Sequence, residues 1–127
     1  MNRLIFDSSA IIAFVNNEKG WENVFNIISG AYINAINLAE VIEKLKELEL
    51  GVSEILEIFD QLDIKIVKFD RELAVKTANL KIISKKYGLS LADRACIATG
   101  IYMNMGIVTA DRIWAKLELP VKITLIR

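Results

Sequence analysis

Short apolar runs alternate along this chain with longer segments of helical periodicity, and this alternation limits the folds open to it. Strands are predicted near 2–7, 31–36, 64–68, 106–109 and 121–126. Helices are predicted near 9–17, 21–29, 38–50, 53–61, 71–87, 91–104 and 112–118. Strands that alternate with helices form parallel βαβ units. The sequence therefore predicts an α/β protein with a mostly parallel sheet of about five strands.

Length and composition agree with one such domain. The chain has 127 residues, and no linker or low-complexity tract divides it, so we expect a single domain over 1–127. Its hydrophobic fraction of 54% suits a sheet buried on both faces and leaves apolar surface for a partner. No apolar stretch approaches the roughly 18 residues of a membrane span, and nothing indicates secretion, so we expect a cytoplasmic protein. Cys96, the single cysteine, is expected in the core.

Four acidic residues stand where an apolar run ends or a helix should begin: Asp7, Glu40, Asp93 and Asp111. The carboxyl ends of parallel strands form one edge of a sheet, and ligands bind in the crevice there. Asp7 closes the run Leu4-Ile5-Phe6, and Asp111 follows the run that ends at Ala110. Glu40 and Asp93 are expected in first helical turns, three residues after Asn37 and Ser90. We therefore expect the four carboxylates to gather at one edge.

Helix capping is the alternative explanation for each acid. Asn37-x-x-Glu40 and Ser90-x-x-Asp93 both resemble capping boxes, and Asp7 and Asp111 could accept hydrogen bonds from backbone N–H groups. Capping does not require an acid at all four junctions, because Ser, Thr and Asn cap helices equally well. Their common position favours a functional site, and both interpretations remain open at this point.

The residue types restrict the chemistry that such a site can perform. The chain contains no histidine, and no phosphate-binding G-x-x-x-x-G-K-[ST] loop occurs. Carboxylate oxygens suit Mg²⁺, with Mn²⁺ as a substitute, and the lack of histidine and of paired cysteines argues against zinc. One or two such ions could activate water and neutralise charge on a phosphodiester. The sequence therefore predicts metal-assisted hydrolysis of nucleic acid.

Four segments together resemble the motifs of PIN-domain endoribonucleases, and most closely those of VapC-type toxins from bacterial toxin–antitoxin pairs. In chain order they are Leu4-Ile5-Phe6-Asp7-Ser8-Ser9-Ala10, Asn37-Leu38-Ala39-Glu40-Val41, Gly88-Leu89-Ser90-Leu91-Ala92-Asp93-Arg94-Ala95 and Val108-Thr109-Ala110-Asp111-Arg112-Ile113-Trp114. The resemblance implies a three-layer α/β/α fold and a magnesium-dependent endoribonuclease with Asp7, Glu40, Asp93 and Asp111 as site acids. Asp7 and Asp93 lie in the two best-matched motifs, so they are expected to be the most direct metal ligands. Ser9 and Thr109 match the supporting hydroxyl positions of that family.

The same resemblance implies protein partners. VapC-type toxins hold the C-terminal segment of an antitoxin in an apolar groove. Residues 36–61 carry more apolar positions than one helix needs against a sheet, so we expect a cognate antitoxin to dock there and to block the acidic site. The resemblance and the apolar content together also predict a homodimer.

Several other charged residues have alternative explanations. Arg94 and Arg112 each follow a site acid, where a guanidinium could meet a phosphate, restrain a carboxylate or form an ordinary ion pair. Asp70 is expected to cap a helix. The lysine clusters, Lys44 with Lys46 and Lys81 with Lys85 and Lys86, are assigned no binding role because such clusters usually form solvated helix faces. The net charge is zero, so RNA affinity should depend strongly on metal.

Two rival functions share parts of this pattern. A metal-dependent phosphatase or receiver-like domain would have an acidic edge, but the first segment reads Asp7-Ser8-Ser9 and lacks the second aspartate of an Asp-x-Asp pair. A catalytically inactive PIN-like module that only binds a protein would keep the acids as caps. Metal titration separates this module from a nuclease.

Overall fold

The computed structural model describes residues 3–127, so the first residues of the strand predicted near 2–7 lie partly outside the described range. All strand pairs in this range are parallel, and the sheet order is β3-β2-β1-β4-β5. The strands are β1 Leu4–Phe6, β2 Tyr32–Asn34, β3 Lys65–Val67, β4 Gly106–Thr109 and β5 Ile123–Leu125. The predicted parallel sheet of about five strands is confirmed.

Helices connect the strands and cover both faces of the sheet. They are α1 Ser8–Val15, α2 Trp21–Phe25, α3 Ala35–Glu47, α4 Val52–Gln61, α5 Arg71–Asn79, α6 Lys81–Tyr87 and α7 Leu91–Tyr102, followed by a 3-10 helix at Arg112–Lys116. Phe6 and Val108 belong to a core cluster with α1 to α4, whereas their neighbours Ile5 and Ile107 belong to a second cluster with α7. Successive strand residues point to opposite faces. The three-layer α/β/α architecture is therefore confirmed.

The strand order places a topological switch beside β1. The chain moves from β1 outward to β2 and β3, then returns to add β4 and β5 on the other side of β1. In open parallel sheets the crevice at such a switch, at the carboxyl ends of the strands, is the usual place for a ligand. Asp7 directly follows β1 at this point.

Helix α7 lies deeper in the molecule than the other helices. Eight of its residues are buried, from Ala92 to Gly100 with Asp93 the exception. Gly100 permits this depth, because a Cβ atom there would lie 2.6 Å from Cγ1 of Ile107 on β4. Cys96 is fully buried in the same helix, so its expected core position is confirmed.

Three predicted boundaries differ from the structure. The helix expected over 71–87 is two helices, because Leu80 N donates to Thr77 O, an i to i−3 bond that ends α5 and redirects the chain. The strand expected over 31–36 ends at Asn34, whose side chain accepts from Ile36 N and starts α3 without a loop. The segment 112–118 is a 3-10 helix, not an α-helix.

Two further helices also differ: α2 ends at Phe25 and not near 29, and α3 spans Ala35–Glu47 and not 38–50. Two ends that single residues mark agree with the structure. Gly88 ends α6 with a positive φ of 65°, and Asp70 caps α5 by accepting from Leu73 N at 3.0 Å. Within residues 3–127, no helix has both the length and the apolar character that crossing a membrane requires.

Candidate functional site

The central strands of the sheet bring the four predicted acids to one edge. Asp7 follows β1, and its backbone N–H donates to Val108 O on β4 at 2.9 Å. Asp111 lies two residues after β4, Glu40 lies in α3 after β2, and Asp93 lies in the first turn of α7. The strands β2, β1 and β4 are neighbours, so the acids that follow them meet at their shared carboxyl end.

Asp7 is the most buried of the four acids, with 3% of its surface exposed. Its Oδ2 atom accepts a hydrogen bond from Ser9 Oγ at 2.7 Å and another from Thr109 Oγ1 at 2.9 Å. Although Asp7 occupies the N-cap position of α1, its side chain makes no capping hydrogen bond. Capping therefore does not explain this acid. The two hydroxyl residues expected to support the site both contact it.

Glu40 lies in the second turn of α3, because that helix begins at Ala35. The predicted first-turn position was therefore wrong, and Asn34 caps the helix in place of Asn37. The Oε1 atom of Glu40 accepts from Ser8 Oγ at 2.7 Å and from Asn37 Nδ2 at 3.2 Å. Glu40 is held by two neighbouring side chains and caps no helix.

Asp93 and Asp111 do cap helices. Asp93 forms a reciprocal capping box with Ser90, with Ser90 N donating to Asp93 Oδ2 at 2.9 Å and Asp93 N donating to Ser90 Oγ at 3.1 Å. Asp111 Oδ1 accepts from Ile113 N at 3.0 Å at the start of the 3-10 helix. The capping interpretation is correct for these two acids, and it occupies only one oxygen of each carboxylate.

The four carboxylates share one arrangement. In each, one oxygen accepts hydrogen bonds from the protein, and the other has no hydrogen-bond partner among the described residues. For Asp7 the second oxygen, Oδ1, is also buried. A buried carboxylate oxygen without a partner is costly unless a ligand or water contacts it. The arrangement leaves a set of oxygen donors available at the edge of the sheet.

The site acids lie close enough for their charges to affect the pKa values of Asp7 and Asp93. Burial raises the pKa of Asp7 to about 6, the hydrogen bonds from Ser9 and Thr109 oppose this rise, and repulsion by Asp93 and Glu40 adds to it. The pKa of Asp93 is also raised, chiefly by burial, while its hydrogen bonds to Ser90 lower it and repulsion by Glu40 and Asp111 raises it further. None of the ion pairs found in residues 3–127 involves a site acid.

A hard divalent cation fits this donor set. All available donors are carboxylate oxygens, and the buried Oδ1 of Asp7 lacks a partner. Over the described range, no three acidic or cysteine side chains come together as a finished ligand set. A cation held by these carboxylates would need water to complete its shell, which is how Mg²⁺ usually binds to proteins.

The two arginines that follow site acids do not contact the carboxylates. Arg94 is buried and donates from Nη1 to Thr77 O at 3.4 Å on α5. Arg112 is exposed and donates to Arg127 O at 2.9 Å. Successive helical residues point about 100° apart, so a residue next to a site acid faces elsewhere. The expected restraint of a neighbouring carboxylate is therefore not seen at either arginine.

Ser8 and Asn37 both contact Glu40, and neither was predicted from the sequence as a site residue. Ser8 and Ser9 are successive residues of α1, so their hydroxyls face different directions: Ser9 reaches Asp7, and Ser8 reaches Glu40. The available signal was the pair of hydroxyls directly after a strand-ending acid. Asn37 was interpreted only as a cap, and its position one helical turn before Glu40 was the signal for a contact.

A cleft leads away from the acids between α1 and α3. Its volume is about 250 Å³, and it is lined by Ser8, Ile12, Glu40, Glu43, Lys44 and Glu47. Beneath the site lies Cys96, where burial raises the pKa of the thiol well above its ordinary value and repulsion from Asp7, Asp93 and Glu40 adds to this rise. A neutral buried thiol cannot act as a nucleophile.

Comparison with known proteins gives one family and a set of similar folds. The PIN domain family model matches residues 4–119. The chain is 17% identical to a DNA-bound VapBC from Salmonella typhimurium, with 100% of both chains covered and a TM-score of 0.69. It is 16% identical to a toxin–antitoxin complex from Klebsiella pneumoniae, with 98% of both chains covered and a TM-score of 0.73.

A third solved structure is Mycobacterium tuberculosis VapC20, described as a sarcin-ricin loop cleaving toxin. It is 10% identical over 94% of this chain and 98% of its own, with a TM-score of 0.72. At these identities the likeness shows a shared fold. No curated protein sequence gives a significant match.

Proposed function

The chain belongs to the PIN domain family, and from this premise we propose that it is a metal-dependent endoribonuclease that acts as the toxin of a toxin–antitoxin pair. The observation that carries the proposal is the carboxylate of Asp7. It is buried at the sheet's topological switch, held through one oxygen by Ser9 and Thr109, and left with a free second oxygen beside Glu40 and Asp93. Helix capping accounts for none of these contacts.

Each residue of the site has a proposed role. Asp7 and Asp93 would be the most direct ligands of Mg²⁺, or of Mn²⁺ as a substitute, and Glu40 and Asp111 would complete the negative charge. Such an ion would activate water and neutralise charge on a phosphodiester. Ser9 and Thr109 orient Asp7, and Ser8 orients Glu40. The caps at Asp93 and Asp111 fix those carboxylates to helix starts, so four acids are presented in a constant arrangement.

RNA is the proposed substrate, and the cytoplasm, where such RNA is found, is the proposed location. The motif resemblance supports an RNA substrate, and one similar fold belongs to a protein described as cleaving the sarcin-ricin loop. The zero net charge gives little general attraction to phosphate, so binding should require the metal. Arg112, which is exposed beside Asp111, is proposed to contact a phosphate.

The test is one substitution made at two capping aspartates. Asp93→Asn and Asp70→Asn both keep an oxygen that can accept the backbone hydrogen bond, and both remove one charge. Only Asp93 lies among the site acids. We expect Asp93→Asn to lose cleavage of a mixed RNA pool by about 100-fold or more. We expect Asp70→Asn to cleave like the unmodified protein, because its cap survives and it lies outside the site.

Each unfavourable outcome has a distinct meaning. Cleavage that persists in EDTA would contradict the metal dependence. Full activity of Asp93→Asn would contradict the assignment of that acid. A protein that binds its partner but cleaves no RNA with Mg²⁺ or Mn²⁺ would favour the inactive protein-binding module.

A cognate antitoxin is the proposed protein partner, docking on an apolar groove near residues 36–61. Leu48, Val52 and Leu56 are exposed in this segment, at 43%, 41% and 41%. Solved structures with this fold include toxin–antitoxin complexes from other bacteria. Helix α3 carries Glu40 and leads to Leu48, and the 250 Å³ cleft beside Glu40 extends along the same helix as far as Glu47. An amphipathic segment bound there would cover the acids.

A homodimer is the second proposed assembly. Several apolar side chains outside the groove are exposed: Val75, Ile82, Leu91 and Tyr102, on α5, α6 and α7. We propose that they form a second apolar surface, which an antitoxin bound near 36–61 would leave uncovered. Twofold interfaces are the commonest way for such a surface to be buried.

A further inference from the structure

Asn37 is a fully buried polar residue that contacts two parts of the candidate site at once. Its side chain is 0% exposed. Its Nδ2 atom donates to Glu40 Oε1 at 3.2 Å and to Ala92 O at 3.2 Å. Ala92 directly precedes Asp93 in the first turn of α7. We propose that Asn37 is a positioning residue that holds the carboxylate of Glu40 in place relative to Asp93, an inference that rests on the proposed metal-dependent cleavage.

The orientation of the Asn37 amide follows from its neighbours. Glu40 Oε1 and Ala92 O are both acceptors, so only the NH₂ end can face them. The opposite orientation would set the amide oxygen against two other oxygens. The two hydrogens of this NH₂ group serve the two acceptors, and one amide thereby joins α3 to α7 at the acids.

Stability alone does not account for an asparagine at this position. The Oδ1 atom of Asn37 is buried and has no hydrogen-bond partner among residues 3–127. A buried acceptor without a partner costs free energy, and an apolar side chain of similar volume would avoid that cost. Positioning Glu40 explains why an amide stands there, because an apolar side chain would supply neither donor.

Ser8 completes the restraint on Glu40. Its hydroxyl donates to the same Oε1 atom at 2.7 Å, from α1. Two donors on different helices therefore fix this oxygen, and Oε2 remains available to a cation or its water. Partners that orient ligand side chains typically change metal affinity or activity by about 10- to 100-fold when they are removed.

Asn34 offers a matched control. It is also 0% exposed, and its Nδ2 atom donates to Thr99 Oγ1 on α7 at 2.7 Å. It thus joins the end of β2 to α7 as Asn37 joins α3 to α7, but its side-chain bonds reach no site acid. Asn34→Ala should lower the melting temperature without changing the metal site.

The experiment measures the melting temperature of the full chain as a function of Mn²⁺ concentration. It is run on the unmodified protein, on Asn37→Ala and on Asn34→Ala. For Asn37→Ala, we expect the Mn²⁺ concentration that gives half of the maximal stabilisation to rise about 10- to 100-fold. For Asn34→Ala, we expect that concentration to remain at the unmodified value. Asn37→Ser, which restores one donor, should recover part of the loss.

The outcomes separate this proposal from the proposed function. An unchanged half-maximal concentration in Asn37→Ala, or an equal rise in Asn34→Ala, would overturn the positioning role. If Asn37→Ala does not fold, Asn37→Ser compared with Asn34→Ser decides the same question. Metal stabilisation of the unmodified protein without RNA cleavage would contradict the proposed function alone, because the titration still decides the role of Asn37. No stabilisation of the unmodified protein by metal would overturn both.

Discussion

Asp7 shows how a single residue can stabilise or destabilise the same fold, depending on its charge. Burial raises its pKa from 3.8 to about 6, although two hydroxyls donate to its Oδ2 atom. Because the folded state binds this proton more tightly than the unfolded chain, the protonated carboxyl stabilises the fold. That contribution is fully present below about pH 4 and is lost as the pH rises through about 6.

The substitution Asp7→Asn should therefore raise the stability of the metal-free protein at high pH. A rise in pKa from 3.8 to about 6 corresponds to about 3 kcal/mol, so we expect the free energy of unfolding to exceed that of the unmodified protein by up to that amount at pH 8. At pH 4 the gain should vanish. Urea denaturation in EDTA at both pH values measures it, with Asp70→Asn as the control. A gain that is equal at the two pH values would contradict the burial of a charge at Asp7.

At the same scale, the sequence located the acids but did not show how they are held. Asp7 and Asp111 follow strands and Asp93 lies in a first helical turn, and these junctions are visible in the apolar pattern. Glu40 lies one turn further into its helix than the pattern predicted. The capping interpretation was correct for Asp93 and Asp111 and wrong for Asp7, whose side chain turns toward β4. The contact of Ser8 with Glu40 joins residues 32 positions apart, so the local pattern shows that a hydroxyl follows Asp7 but not which acid it reaches.

At the scale of elements, α3 connects the acids with the proposed partner surface. One face of this helix buries Val41 and Leu45 in the core, and Glu40 lies one residue from Val41. Its C-terminal end carries Leu48, which is exposed near Val52 and Leu56 of α4. A segment bound to this surface would lie along the helix that carries Glu40.

Leu56→Glu should weaken binding of the antitoxin without changing RNA cleavage by the free protein. A buried leucine contributes about 1.5–3 kcal/mol, so we expect the Kd to rise on the order of 10- to 100-fold. Co-expression with the product of the adjacent gene, followed by pull-down and a binding titration, measures this. Ile82→Glu, an exposed apolar position on another helix, is the matched control and should bind normally. Equal loss in both variants would place the partner elsewhere.

Element boundaries were predicted well where a residue with a special conformation marks them. Gly88 ends α6 in the left-handed conformation that its position predicted. The break between α5 and α6 at Leu80 has no glycine or proline to mark it. There the chain turns so that Leu80 and Ile83 both pack against the second core cluster, a requirement of tertiary packing that local periodicity cannot reveal.

At the scale of the whole molecule, the second apolar surface predicts how the chain assembles. Ile82 is 82% exposed and is the most exposed of the apolar side chains proposed to form this surface. We expect the unmodified protein to be a dimer by light scattering at micromolar concentration and Ile82→Glu to be a monomer. Leu56→Glu should remain a dimer. A monomeric unmodified protein with intact ribonuclease activity would refute the dimer.

The depth of α7 has a consequence for how such an enzyme can be controlled. Eight of its residues are buried, so we expect the helix that carries Asp93 to stay with the central strands during local movements. The peptide hydrogens of its buried turns should exchange with solvent only when the molecule unfolds as a whole. A site carried by such a helix would be restrained from outside, by a molecule that occupies its entrance.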